Sequence, residues 1–141
     1  MGIGFAEGLG KEVVLEKEVV EHSEMPAPYG AYSTAVRAGD FLFISGQAGI
    51  VPETGNKAGE DFDSQARQAF ENLRTCLECS GSSMDDVVKV ITWLGDADQR
   101  SALNDLFGEY FPHEPPARST PIVDLPMGLL LSIEATAIVR S

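Results

Sequence analysis

The chain has 141 residues, of which 22 are acidic and 10 are basic, so its formal net charge is −12 and its pI about 4.4. The length matches one domain, and a hydrophobic content of 43% is that of a folded globular protein rather than a disordered one. Nucleic acids and anionic membranes attract clustered Lys and Arg, but the ten cations here are scattered along the chain. The composition therefore argues against both kinds of partner.

The chain has no run of about 18 apolar residues that could cross a bilayer. Its first residues lack the basic and apolar regions of a signal peptide. These features predict a cytoplasmic protein. Residues 1–10 are glycine-rich and without periodicity, which predicts a flexible N-terminal arm before a single domain over residues 11–141.

The first half of the chain predicts strands and turns. A β-branched stretch opens it, a loop with two prolines follows at residues 22–29, and Ala38-Gly39-Asp40 is typical of a hairpin turn between two further strands. Pro52-Glu53-Thr54-Gly55 predicts a second turn, because proline presets φ and glycine tolerates a positive one. The predicted strands are residues 12–20, 32–37 and 41–45.

The second half predicts two helices and three strands. Apolar residues at three- and four-residue spacing indicate a first helix, capped by Asp61 or Asp63 and ended at Gly81. A second helix begins near Asp96 or Asp98 and stops before a proline. The predicted strands are residues 87–94, 118–123 and 129–139.

Six strands and two helices predict an α+β fold with a mixed sheet, in which both helices cover the same face. The stretches at residues 41–44, 87–94 and 129–133 nevertheless carry apolar side chains toward both faces. An uncovered apolar face of this size is larger than monomers usually expose. The sequence therefore predicts association with further copies through the open face.

Two charged residues are candidates for chemistry. Glu134 falls in mid-strand among small and apolar residues, where a desolvated carboxylate can serve as an acid or base. A sheet-surface position or a structural ion pair is an equal alternative. Arg118 follows Pro115-Pro116-Ala117, and a guanidinium can hold a carboxylate with two parallel donors. From the pattern alone, a surface arginine or a partner for Glu134 is the favoured interpretation.

Cys76 and Cys79 have the C-x-x-C spacing of a redox pair or of half a zinc site. Neither His22 nor His113 stands at a spacing that completes a zinc site. A redox pair usually opens a helix, whereas these cysteines fall near the end of the predicted one. Ordinary buried or half-buried cysteines are therefore favoured. The sequence also lacks G-x-S-x-G, G-x-G-x-x-G and G-x-x-x-x-G-K, which argues against a serine-hydrolase triad and a nucleotide cofactor.

Seven short segments are recognisable, in order and at consistent spacing, across roughly residues 11–140. They are G-A-Y-S-T-A-V from Gly30, F-I-S-G-Q from Phe43, P-E-T-G from Pro52, Q-A-R-Q-A-F-E-N-L from Gln65, D-D-V-V-K-V from Asp85, P-A-R-S-T from Pro116 and I-E-A from Ile133. Together they resemble the motifs of the RidA/YjgF family of imine/enamine deaminases. Each motif is weak alone, and seven in register are specific.

The resemblance implies a chorismate-mutase-like homotrimer around a central barrel, with active sites in clefts between subunits. It implies hydrolysis of 2-aminoacrylate or 2-iminopropanoate to a 2-keto acid and ammonia, with no cofactor and no metal. By position, Arg118 matches the arginine that binds the substrate carboxylate, and Glu134 the glutamate that orients or activates water. The positions matching the rest of the pocket are Tyr32, Ser45, Gly46, Asn104 and Thr120.

The chain departs from the family pattern at two positions and at its start. Ala31 stands where proline is usual, Thr120 where many members have cysteine or valine, and the N-terminal arm is longer. These departures leave open a same-fold deaminase of a larger unsaturated amino acid, of the aminomuconate type, and a non-catalytic trimer that binds a small ligand. An endoribonuclease, an activity attributed to the family, is a further alternative that the acidic charge disfavours.

Overall fold

The computed structural model describes residues 15–140, whose strands form one six-stranded sheet in the order β1-β2-β3-β6-β4-β5. Neighbouring strands run antiparallel except β4 and β5, which are parallel, so the predicted mixed sheet is confirmed. The strands are β1 (Lys17–Val20), β2 (Ala35–Ala38), β3 (Phe41–Ala48), β4 (Val87–Leu94), β5 (Ala117–Ser119) and β6 (Leu131–Ile138).

Two helices, α1 (Phe62–Cys79) and α2 (Arg100–Tyr110), follow β3 and β4. The Asp61 carboxylate caps α1 by accepting the Ser64 backbone N–H at 2.9 Å, and Gly81 ends it with φ 81°. A short 3-10 turn precedes α2, and Asp96 caps it by accepting the Asp98 N–H at 2.9 Å. The predicted start of α1 is therefore confirmed, because capping depends on side chains next to the helix in sequence. Near Asp96 the structure starts the 3-10 turn, and α2 itself begins at Arg100.

The core lies between the two helices and one face of the sheet. Alternate residues of β6 point into it, from Leu131 to Ala137, and they are buried. Phe70 of α1 stacks on Tyr110 at 4.7 Å between ring centroids and meets Phe107 edge-on at 6.2 Å, which joins the two helices. Both helices thus cover the same face, as the sequence predicts.

The opposite face carries an apolar surface that no helix of the described chain covers. Val19, Val36 and Phe43 are register partners across β1, β2 and β3, so they share this face, and Phe43 is 47% exposed. Phe41, two residues earlier on the same strand, is 49% exposed. The predicted uncovered apolar face is confirmed, while its role in association stays a prediction. No helix among residues 15–140 is both long and apolar enough to span a bilayer.

Several strand limits differ from the predictions. β1 begins at Lys17, while residues 12–14 and the predicted arm at residues 1–10 lie outside the described residues. β2 begins at Ala35 rather than Tyr32, because the preceding segment belongs to the loop, where the Thr34 hydroxyl donates to the Pro26 carbonyl at 3.0 Å. Sequence alternation cannot detect such a side-chain bond between a strand and a loop.

The later strands also differ in length. β3 extends to Ala48, three residues beyond its predicted end, and β6 is two residues shorter at its start and one at its end. β5 ends at Ser119, and only an isolated bridge between Leu94 and Ile122 continues its pairing. Pro121 explains the interruption, since proline has no N–H to donate to a strand ladder.

Candidate active site

A β-bulge brings three of the predicted site residues together. Ile44 pairs with Ala135 and Gln47 with Ile133, so the two residues between them on β3, Ser45 and Gly46, lie opposite the single residue Glu134 on β6. Such a bulge bends its strand and redirects side chains, and bulges are common beside active sites. The register therefore joins Ser45, Gly46 and Glu134 in one cluster, here called the glutamate cluster.

Gly46 allows β6 to approach closely at the bulge. A Cβ at this position would lie 2.7 Å from the Ser132 hydroxyl oxygen, which is nearer than real Cβ contacts come. Ser132 precedes Glu134 by two residues and shares its face of the sheet, about 7 Å away along the strand. The Ser45 hydroxyl donates to the Ser33 carbonyl at 2.7 Å, so it holds the adjoining loop against β3.

The Glu134 carboxylate accepts a hydrogen bond from the indole of Trp93. The Nε1–Oε1 distance is 2.8 Å, and both side chains are half-buried on the open face. Trp93 pairs in register with Ser132, and Glu134 pairs with Ile91, so the indole reaches its partner diagonally between β4 and β6. Of the alternatives for Glu134, the ion pair does not form among residues 15–140.

Tyr32 lines a small pocket that also includes Gly46 of the bulge. Its ring is 47% exposed, and its hydroxyl oxygen accepts the Tyr29 backbone N–H at 3.0 Å. The pocket has a volume of about 170 Å³, and Tyr32 and Gly46 both line it, together with Ile50 and Met127. All of its described lining residues are uncharged. The pocket can therefore receive an uncharged group next to the glutamate cluster.

Arg118 lies on β5 and is held by two residues of α2. Its Nη2 donates to the Asn104 side-chain carbonyl at 2.6 Å, and its Cζ lies 4.7 Å from the centre of the Phe107 ring. Burial lowers the pKa of Arg118 from its ordinary value, and the group stays charged at neutral pH as arginines do. Arg118 forms no ion pair within residues 15–140. An oriented, half-buried guanidinium of this kind is suited to binding an anion.

Thr120 follows Arg118 by two residues and completes the second group, here called the arginine cluster. Its hydroxyl lies 2.8 Å from that of Thr92, which is fully buried in β4. This hydrogen bond, in which either hydroxyl can be the donor, anchors Thr120 to the sheet. Asn104, Arg118 and Thr120 therefore lie together at the end of the sheet that α2 covers.

The two clusters lie on opposite faces of the sheet within one chain. Arg118 pairs with Val90, whose side chain is buried in the core beneath the helices. Glu134 pairs with Ile91, the next residue along β4, so it points to the open face. Since successive side chains of a strand alternate between faces, one chain does not place the two side chains at a common ligand. The possible Arg118–Glu134 pair considered from sequence is therefore not formed within the chain.

Two residues of the site have no counterpart among the sequence predictions. Trp93 carries the only hydrogen bond to the Glu134 carboxylate from residues 15–140, and Phe107 supplies the ring beneath Arg118. Both look like core positions in the sequence pattern. Of these two residues, the sequence could have indicated only Trp93, because an indole N–H in a partly buried strand needs a hydrogen-bond acceptor.

Cys76 and Cys79 lie in the last turn of α1, and neither is in a disulfide. Cys76 is buried, and burial raises the pKa of its thiol to about 12. Burial also raises the pKa of Cys79, with Glu24 and Glu78 adding to the effect. Reactive thiols need a lowered pKa, so ordinary structural cysteines are the interpretation that the geometry favours. Residues 15–140 contain no group of three or more His, Cys, Asp or Glu placed to hold a metal ion.

The fold and site define a class of small α+β proteins, and comparison with known proteins identifies the family. The model of the family described as endoribonuclease L-PSP matches residues 22–139. A RutC family protein of Pyrococcus horikoshii is 42% identical over 122 residues, which are 86% of this chain and 97% of that protein. The chain belongs to this family, also known as RidA/YjgF.

Two further proteins carry more specific descriptions. A 2-iminobutanoate/2-iminopropanoate deaminase of Dermatophagoides farinae is 34% identical over 125 residues, which cover 88% of this chain and 98% of that protein. The crystal structure of Escherichia coli TdcF with bound serine superposes with a TM-score of 0.79 at 30% identity, and it covers 88% of this chain and 99% of that one. The fold predicted from the sequence is therefore that of solved members of the family.

Proposed function

We propose that the protein hydrolyses short 2-imino and 2-enamino acids, of the 2-iminopropanoate and 2-aminoacrylate type, to a 2-keto acid and ammonia. The observation that carries the proposal is the half-buried Arg118, oriented by Asn104 and Phe107 and without a carboxylate partner among residues 15–140. A relative described as a 2-iminobutanoate/2-iminopropanoate deaminase supports this chemistry.

In the proposed complex, Arg118 binds the substrate carboxylate. A charge-assisted hydrogen bond of this kind contributes about 1.5–3 kcal/mol net. It also fixes the imine carbon relative to the residues that act on it, and orientation is a large part of catalysis for a substrate that is already reactive. The family relative TdcF, whose structure holds serine, shows that a protein of this fold accommodates a small amino acid.

Glu134 is proposed to activate water by accepting and returning its protons. In the first step, the water oxygen bonds to the imine carbon and the π electron pair of the C=N bond moves to nitrogen. Glu134 transfers a proton from the water to that nitrogen. In the second step, the hydroxyl of the adduct loses its proton to Glu134, the C=O bond forms, and nitrogen takes the proton and leaves as ammonia. An enamine enters the same sequence after tautomerisation to the imine, in which its terminal carbon gains a proton and its nitrogen loses one. One water is consumed, and no oxidant or cofactor is needed.

The proposed assembly is a homotrimer in which Arg118 of one subunit and Glu134 of a neighbour face the same cleft. Two observations support it. The open face bears exposed apolar residues, among them Phe41 and Phe43, which association would remove from water. The two clusters point to opposite faces of a single sheet, so a shared ligand requires two copies.

The uncharged pocket bears on the choice between substrates. The two substrate types considered differ in that an aminomuconate-type molecule brings a second carboxylate, whereas short 2-imino acids bring only a small apolar side chain. The pocket beside Tyr32 and Gly46 has no cation among its described lining residues to balance a second carboxylate. An unpaired charge there would be costly, so the pocket favours the short substrates.

The test is the release of keto acid from 2-aminoacrylate generated in place by a serine or threonine dehydratase. We expect the wild-type protein to accelerate release, and Arg118→Ala to lower kcat/KM by roughly 10- to 100-fold, the equivalent of the carboxylate contact. The matched control is Arg74→Ala, since Arg74 also lies over an aromatic ring, that of Tyr110, at 5.0 Å but outside both clusters.

Three outcomes separate the candidate functions. Equal acceleration by wild type and Arg118→Ala would refute the carboxylate role of Arg118. A folded trimer with no acceleration on 2-aminoacrylate but activity on an aminomuconate-type substrate would move the assignment to that class. Binding of a keto acid without turnover of either substrate would identify a ligand-binding trimer instead.

A further inference from the structure

We propose that Trp93 is a positioning residue that holds the Glu134 carboxylate through its indole N–H and leaves the second carboxylate oxygen for water. The inference deepens the proposed function and rests on it. The hydrogen bond joins Nε1 of Trp93 to Oε1 of Glu134 at 2.8 Å. No other residue between 15 and 140 donates to this carboxylate.

The hydrogen bond from Trp93 strongly restricts the side-chain conformation of Glu134. A free glutamate side chain rotates about three bonds, whereas the rigid indole ring rotates about two and carries its donor at a fixed place. The indole N–H only donates, so it cannot exchange roles with the carboxylate or remove its capacity to accept a proton. Glu134 Oε1 is thereby fixed, and Oε2 accepts no hydrogen bond from residues 15–140.

Packing alone does not account for tryptophan at this position. Trp93 is half-buried on the open face and is not part of the buried core between the sheet and the helices. The neighbouring residues of β4 that do enter the core, Thr92 and Leu94, are fully buried. Trp93 is a large ring outside the core, and its one hydrogen-bond donor contacts a candidate catalytic carboxylate. This arrangement is expected of a positioning residue.

The two clusters give Trp93 a distinct kinetic signature. Substrate binding is proposed to depend on the arginine cluster, while the side-chain hydrogen bond of Trp93 goes to Glu134 in the glutamate cluster. Loss of its N–H should therefore lower the rate of the hydrolytic step and leave binding unchanged. Trp93→Phe keeps an aromatic ring and removes the donor, so we expect kcat to fall roughly 10- to 100-fold, the equivalent of one charge-assisted hydrogen bond, with KM within a factor of two.

The kinetic experiment measures kcat and KM for the wild-type protein, Trp93→Phe, Glu134→Gln and the double variant on 2-aminoacrylate generated in place. If Trp93 acts through Glu134, the double variant is no slower than Glu134→Gln alone. A Trp93→Phe variant with wild-type kcat would overturn the inference, as would a double variant slowed by the product of the two single effects. An inactive wild-type protein would instead refute the proposed function.

A spectroscopic measurement covers the case in which Trp93→Phe does not fold. Trp93 is the single tryptophan of the chain, so emission excited at wavelengths that the three tyrosines do not absorb reports on the surroundings of this side chain. We expect Glu134→Met, which has a side chain of similar length without an oxygen acceptor, to shift the tryptophan emission maximum and to change its quenching by iodide, compared with wild type at equal folded concentration. Identical spectra and quenching in the two proteins would show that the contact is absent in solution.

Discussion

Replacing Phe107 with leucine tests whether the ring beneath Arg118 contributes to carboxylate binding. The Arg118 Cζ lies 4.7 Å from the ring centre, within the range of a cation–π interaction. Leucine keeps an apolar side chain of similar length at this buried site and removes the π surface. The hydrogen bond from Arg118 to Asn104 is left in place, so the guanidinium loses one of its two constraints.

The expected magnitude follows from the exposure of the pair. Cation–π contacts contribute from about 0.5 kcal/mol at exposed sites to about 2 kcal/mol where the cation is desolvated. Burial lowers the pKa of Arg118, so the guanidinium is partly desolvated and lies between these limits. We therefore expect Phe107→Leu to weaken carboxylate binding by roughly 2- to 30-fold. The lost ring contacts should also lower the free energy of unfolding by about 1–2 kcal/mol, less than a Phe→Ala change in a core.

The assay uses a stable ligand, so that affinity is measured without turnover. Calorimetric titration with 2-oxobutanoate gives a Kd for the carboxylate, and urea unfolding gives the stability. Phe111→Leu is the matched control, because Phe111 packs against Phe107 at 4.6 Å and against Phe70 at 6.2 Å in the same cluster. It removes an equal ring from the same core without touching the guanidinium.

The comparison between Phe107→Leu and Phe111→Leu decides whether the Phe107 ring contributes directly to carboxylate binding. Weaker binding by Phe107→Leu alone, at equal losses of stability, would support a direct contribution of the ring. If both variants bind 2-oxobutanoate as tightly as wild type, or if both weaken equally, the reasoning from the cation–π geometry is wrong.

Three other changes test the fold, the open face and the cysteines. Gly49→Ala should lower the free energy of unfolding by about 3 kcal/mol or more, because its Cβ would lie 2.3 Å from a carbonyl oxygen of α1. Gly108→Ala, with open space at its Cβ, is the control in the same urea titration and should be neutral or stabilising. Phe43→Glu places a charge on the open apolar face, so light scattering should report smaller particles than for wild type; an unchanged mass would refute that interface. Burial raises the pKa of both thiols, but Cys76 is the buried one and its pKa rises to about 12, so iodoacetamide should label Cys79 faster in the folded protein, with equal rates in urea.

Much of the fold is determined locally and could be read from the sequence. The Asp61 cap, the positive φ of Gly81 and the β2–β3 turn at Gly39 depend on residues within a few positions of each other. The alternation of β6 is also visible in the sequence, because a period of two follows from strand geometry alone, and the structure buries the set that includes Leu131 and Ala137. The uncovered apolar face was predicted in the same way, from the alternation that directs apolar side chains to both faces of the sheet.

Only the tertiary structure decided how the candidate site is assembled. The sequence singled out Arg118 and Glu134 as charged residues on strands, but their placement on opposite faces depends on the register of β4 with β5 and β6. A shift of one residue in either pairing would reverse that result, and no local pattern fixes it. The contacts of Trp93 with Glu134 and of Phe107 with Arg118 join residues 41 and 11 positions apart, so they form only when strands and helix pack together. The sequence thus determined which groups are available for chemistry, and the packing of distant segments decided which of them meet.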